Sequence, residues 1–155
     1  MKTYKSFGAL AREFEQNLRD IDAGFAIAMN KCAVAVEATA KSEFGHYQND
    51  SANGWEEWAQ LKASTQSERV RKGFTENDPL LRTGKLRDSV HHTAGERTFV
   101  VGSADPVMLY QELGTQDIPP RAVLAPALHR NIPIILNIVG NTVESAVSGQ
   151  LRNGI

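Results

Sequence analysis

The chain has 155 residues, of which 41% are hydrophobic and 23% charged, and its formal net charge is −1. This length fits one domain with one core, and this composition excludes wholesale disorder. The near-zero net charge argues against a dedicated nucleic-acid binder. Cys32 is the only cysteine, which excludes an internal disulfide. No apolar run approaches the roughly 20 residues that a membrane span needs, and no signal peptide is recognisable, so the sequence predicts a protein made and assembled in the cytosol.

The first predicted element is a long helix over residues 6–44, with Ser6 as its N-cap and Gly45 as its stop. Two interpretations are open for a helix that would reach roughly 58 Å at 1.5 Å per residue. Either it breaks near Gly24, or part of it packs on a neighbouring subunit. Its apolar residues recur every three or four positions and so form one stripe: Phe7, Leu10, Phe14, Leu18, Ile21, Phe25, Ala28, Cys32, Val36 and Ala40.

Residues 45–54 are loop formers apart from Tyr47, and we expect them to be mobile. Trp58 lies one helical turn before Leu61. It is predicted to be a core anchor. Thr65 and Glu68 have the spacing of a capping box, which predicts a short helix that begins there and ends at Gly73.

The next stretch predicts an antiparallel hairpin over residues 86–102, with a first strand running from Lys85 to Thr93. Asp105 and Pro106 predict the start of a short helix, which Gly114 would end in a left-handed conformation. An extended segment follows over residues 118–120.

From Arg121 on, the chain is expected to turn helical again. Pro133 is expected to break or kink it, and the apolar stripe after that proline predicts a C-terminal helix over 134–148. The predicted fold class is α+β, with a long N-terminal helix and a C-terminal helix packed on a small antiparallel sheet built around the β-hairpin. Residues 1–155 would form a single domain whose α+β core covers 55–130.

The chain shows no recognisable signature of an enzyme. Thr83, Gly84 and Lys85 superficially resemble a phosphate loop, but Pro79 stands where that motif needs its first glycine. The four histidines lack the spacing of a metal site. Cys32 lies on the apolar stripe and is interpreted as a small core residue. We therefore expect no catalytic residue, no metal and no cofactor.

Residues 62–87 form a mildly basic segment. Three interpretations are open: a solvated face interleaved with carboxylates, ion pairs to a neighbouring chain, or contact with DNA phosphates. The basic residues are Arg69, Arg71, Lys72, Arg82, Lys85 and Arg87.

Two motifs in a fixed order carry a resemblance to a known family. The first is Leu80-Leu81-Arg82-Thr83-Gly84-Lys85-Leu86-Arg87-Asp88-Ser89, and the second is Glu112-Leu113-Gly114-Thr115 followed by Ile118-Pro119-Pro120-Arg121. With them, residues 55–130 resemble the small neck and tail-completion proteins of long-tailed bacteriophages. They are similar both to Mu-like virion morphogenesis proteins and to lambda-like minor tail or tail-completion proteins. Leu113 replaces the aromatic residue usual before the Gly-Thr pair, and Ala122-Val123 replaces Pro-Phe.

The resemblance implies a non-enzymatic structural subunit of the virion neck or tail, assembled in the host cytoplasm. Such subunits form a ring, commonly a hexamer, that completes the tail or joins it to the head connector. The implied partners are copies of itself, connector or head-completion proteins, and tail-tube or tail-terminator proteins. DNA would be passing cargo only, and no membrane is involved. The alternative is a nucleic-acid-binding module that uses the basic segment 62–87.

On the structural hypothesis, the hairpin and the loops at 45–54 and 114–121 are expected to contact neighbouring subunits. The predicted interface residues are Leu86, Val90, Phe99, Val101, Leu113, Gly114, Thr115, Ile118 and Arg121.

Overall fold

The computed structural model describes residues 4–49 and 54–148. In chain order its elements are α1 (Phe7–Glu43), α2 (Ala63–Arg71), α3 (Lys85–Asp88), β1 (Val90–Ala94), β2 (Phe99–Ser103), α4 (Pro106–Leu113) and α5 (Leu124–Val147). The α+β class is confirmed, with a long N-terminal helix, a C-terminal helix and a hairpin as the sheet.

Helix α1 is continuous through Gly24, which excludes one of the two open interpretations, a break near that residue. A glycine inside a helix costs only about 1 kcal/mol relative to alanine, and packing of the same face outweighs that cost. The predicted ends are confirmed. Ser6 Oγ accepts the backbone N–H of Ala9 at 3.2 Å. Gly45 adopts a φ of +89° after the last turn, and its N–H is donated to the carbonyl of Pro79 at 2.9 Å.

Helix α5 packs antiparallel along α1. Asn131 donates a hydrogen bond to Thr39 Oγ1 at 2.8 Å, and Ser145 lies beside Gly24 at the other end of the contact. The expected return to helix after Arg121 is confirmed, since α5 begins at Leu124. The helix predicted over 134–148 is the second part of α5, which does not break at Pro133. Pro133 lies inside α5 with its side chain exposed. It removes a single N–H from the hydrogen-bond ladder, and packing on α1 holds the helix together on both sides of it.

Strands β1 and β2 form the hairpin, with Val90 opposite Ser103 and Ala94 opposite Phe99. The predicted strand over Lys85–Asp88 is wrong, since these residues form the single helical turn α3. The pattern was ambiguous because a strand and a helix both place Leu86 and Val90 on one face.

The core lies where α1 meets the hairpin, α4 and the start of α5. Trp58 is 3% exposed and donates its ring N–H to the carbonyl of Ala122 at 3.2 Å, which confirms it as a core anchor. The core cluster is Val36, Ala40, Phe44, Trp58, Val90, Met108, Val123 and Ala127.

The segment around Trp58 differs locally from the prediction. The described residues 55–62 are not helical, because the N–H of Trp58 pairs with the carbonyl of Gln48 at 3.0 Å. The capping box is also wrong: α2 begins at Ala63, so Thr65 lies inside its first turn. Residues 50–53 lie outside the described residues, and the mobility of the 45–54 loop stays a prediction.

Candidate subunit interface

The apolar stripe of α1 divides into a covered half and an uncovered half. Cys32 and Val36 are at most 1% exposed. Phe7, Phe14 and Leu18 on the same stripe are 84%, 62% and 61% exposed. One amphipathic helix therefore begins in solvent and ends in the core.

The division falls where the neighbouring elements stop. The C-terminal part of α5 reaches Gly24, and the hairpin turn reaches Asp22 through an ion pair from Arg97. Both of these contacts involve α1 residues from Asp22 onward. At 1.5 Å per residue the projecting segment, defined as residues 7–21, is about 22 Å long.

A second apolar surface lies at the opposite end of the body. It is a groove of about 640 Å³ between β2, the covered half of α1 and the first half of α5. Val100 is 65% exposed at one wall, and Leu128 is 45% exposed at the other. The groove is lined chiefly by Val36, Phe99, Val100, Val101, Leu128 and Ile135.

Glu112 positions the start of α5, which forms one wall of the groove. The sequence pattern did not mark this residue as a functional candidate. Glu112 Oε2 accepts the backbone N–H groups of Val123 and Leu124 at 2.8 and 3.0 Å, and its Oε1 accepts that of Ala125 at 2.9 Å. Val123 stands at the N-cap of α5 and has no side-chain acceptor of its own. The start of a helix without a local cap is the signal that points to a distant acceptor.

The same contact shapes the loop at 114–121. The N–H of Arg121 is donated to the carbonyl of Gln111 at 2.6 Å, and that of Thr115 to the carbonyl of Ile118 at 2.8 Å. Gly114 has φ +73° and ψ 175°, so its φ is positive as expected but the conformation is not the left-handed helical one. The loop therefore folds onto its own chain rather than forming an extended arm.

The predicted interface residues fall into three groups by solvent exposure. Val90 and Arg121 are 0% and 7% exposed, so their prediction as surface contacts is wrong. Arg121 donates to the carbonyl of Ala59 at 2.7 Å, and burial lowers the pKa of its guanidinium. Five of the predicted residues are half-buried, namely Leu86, Phe99, Val101, Gly114 and Ile118. Leu113 and Thr115 are exposed. Phe99 and Val101 line the groove.

The basic residues do not form a uniform solvated patch. Arg69 is 5% exposed and donates to the carbonyls of Thr75 and Leu81, each at 2.7 Å, so none of the three open interpretations fits this residue. A buried guanidinium ties the turn after α2 to the segment before α3.

Three other basic residues pair with carboxylates of the same chain. Lys72 and Arg82 both bind Glu68, and hydrogen bonding from Lys72 is the main cause that lowers the pKa of that carboxylate. Arg87 pairs with Asp88 at 2.9 Å. Arg71 and Lys85 are exposed.

The described residues offer little chemistry beyond these contacts. Within 4–49 and 54–148 no cluster of three or more His, Cys, Asp or Glu side chains is placed to hold a metal. Burial raises the pKa of the Cys32 thiol, which disfavours the nucleophilic thiolate. No helix in the described part combines the length and apolarity that a membrane span requires. No protein-family model, curated protein or solved structure matches this chain.

Proposed function

We propose that this protein is a non-enzymatic structural subunit of a phage neck or tail. It assembles with copies of itself into a ring that completes the tail or joins it to the head connector. The observation that carries the proposal is the projecting segment of α1, which places Phe7, Phe14 and Leu18 in solvent. The order of the motifs in residues 80–121 supplies the phage context.

The exposed stripe favours assembly on energetic grounds. Burying a Phe or Leu side chain contributes about 1.5–3 kcal/mol relative to leaving it in water. Most helical stability in proteins comes from packing of an apolar face, so the projecting segment is stabilised when a partner covers it.

A ring requires two different surfaces on each subunit, which bind head to tail and close by rotation. The described residues include two separate apolar surfaces, the projecting segment and the groove. These are features expected of a subunit that binds one neighbour with one end and the next neighbour with the other.

The charge distribution supports DNA as cargo rather than as ligand. A channel that lets DNA pass should avoid a strongly positive lining, since phosphate contacts hold DNA tightly at low salt. Here Glu68 pairs with both Lys72 and Arg82 and offsets one of their two positive charges, and the net charge of the chain is −1. The alternative nucleic-acid-binding module would also have to function without Arg69, which is buried.

Assembly is tested by light scattering and negative-stain imaging of the wild-type chain and a Phe14→Glu variant. The wild type should form rings, alone or with purified connector or tail-tube protein, and the variant should not. Arg12→Glu is the matched control, because it adds the same side chain on the opposite face of the segment. A wild-type chain that stays monomeric and binds neither class of partner would contradict the proposal.

The phage context is tested separately. Antibody labelling of intact virions should place the protein between the head and the tail tube. The coding gene should also lie between the connector genes and the tail-tube genes. Label spread over the capsid, or absent from virions, would remove this part of the proposal.

A further inference from the structure

We draw no further inference here: the strongest candidate, the apolar groove between β2, the covered half of α1 and the first half of α5, carries none because nothing in the structure shows what covers it.

Discussion

Glu112 accepts the backbone N–H of Leu124 at 3.0 Å and so caps a helix that begins 12 residues further along the chain. Its carboxylate also takes the N–H groups of Val123 and Ala125. The negative charge stands at the positive end of the α5 dipole. The end of α4 and the start of α5 are thus joined by one side chain, which fixes a wall of the groove.

Replacing this carboxylate should destabilise the protein. Glu112→Gln removes the charge and one acceptor oxygen from a set of N–H donors near the core. We expect a loss of about 1–2 kcal/mol in the free energy of unfolding, measured by urea denaturation. Glu57→Gln, at an exposed position, should change it by less than about 0.5 kcal/mol. Equal effects of the two substitutions would show that the cap contributes nothing.

Arg69 and Arg71 lie two residues apart on α2 and should respond differently to substitution. Arg69→Ala removes a buried guanidinium and leaves the carbonyls of Thr75 and Leu81 without their charged donor, and should cost about 2–3 kcal/mol of folding stability. Arg71→Ala removes an exposed side chain and should be nearly neutral. Thermal unfolding of both variants checks this expectation. A larger loss of stability in the Arg71 variant would contradict the structural role of Arg69.

Gly114 should not tolerate a side chain. A Cβ there would lie 3.0 Å from the carbonyl oxygen of Ile118 and from Pro120 Cδ, at a φ of +73°. Gly114→Ala should therefore cost about 1–3 kcal/mol through strain, seen as a lower midpoint of chemical denaturation. Gly102→Ala is the matched control, since a Cβ at Gly102 meets nothing within 4 Å. If both variants unfold at the wild-type midpoint, the loop adapts and the close approach is not a constraint.

Glu37 should make stability depend on acidity. Hydrogen bonds from Lys41 and then His92 lower the pKa of Glu37 from its ordinary value of 4.5. A lowered pKa means that the ionised form stabilises the folded state. The contribution is complete above the ordinary carboxyl pKa and is lost as the pH falls through the lowered one.

The variant that tests this is Glu37→Gln. It should be less stable than the wild type at pH 7, by about 0.5–1 kcal/mol. The difference should shrink as the pH falls from 4.5 through the lowered pKa, because the carboxylate is protonated first in the unfolded chain and then in the folded one. Unfolding free energies between pH 7 and pH 3 give the comparison, with Glu144→Gln as an exposed control. A gap that stays constant over this range would exclude the carboxylate charge as its source.

Local signals allowed much of the fold to be predicted. Ser6 and Gly45 bound α1, and Asp105 with Pro106 starts α4, because a cap or a fixed φ acts within a few residues. The cap of α5 could not be predicted in the same way, since its acceptor is Glu112, in another element. Arg69 was misplaced among solvent-facing charges because composition does not distinguish a buried guanidinium from a solvated one.

Only part of the candidate interface could be predicted from the sequence, because tertiary packing decides the rest. The stripe from Phe7 to Ala40 shows that α1 is amphipathic. It does not show which half is covered, because that depends on where α5 ends more than a hundred residues later. The groove likewise combines residues from α1, β2 and α5, whose proximity is a product of the tertiary fold.

The pairing of α1 with α5 also sets an order of events during synthesis. About 80 residues separate the end of α1 at Glu43 from the start of α5 at Leu124. At roughly 5–20 residues per second, a ribosome takes on the order of 4–16 seconds to make that stretch. Throughout that time Ala33 and Val36 lack the helix that later runs beside them. The nascent chain therefore presents a longer apolar stripe than the finished subunit, and chaperones that recognise apolar helices should meet it at this stage.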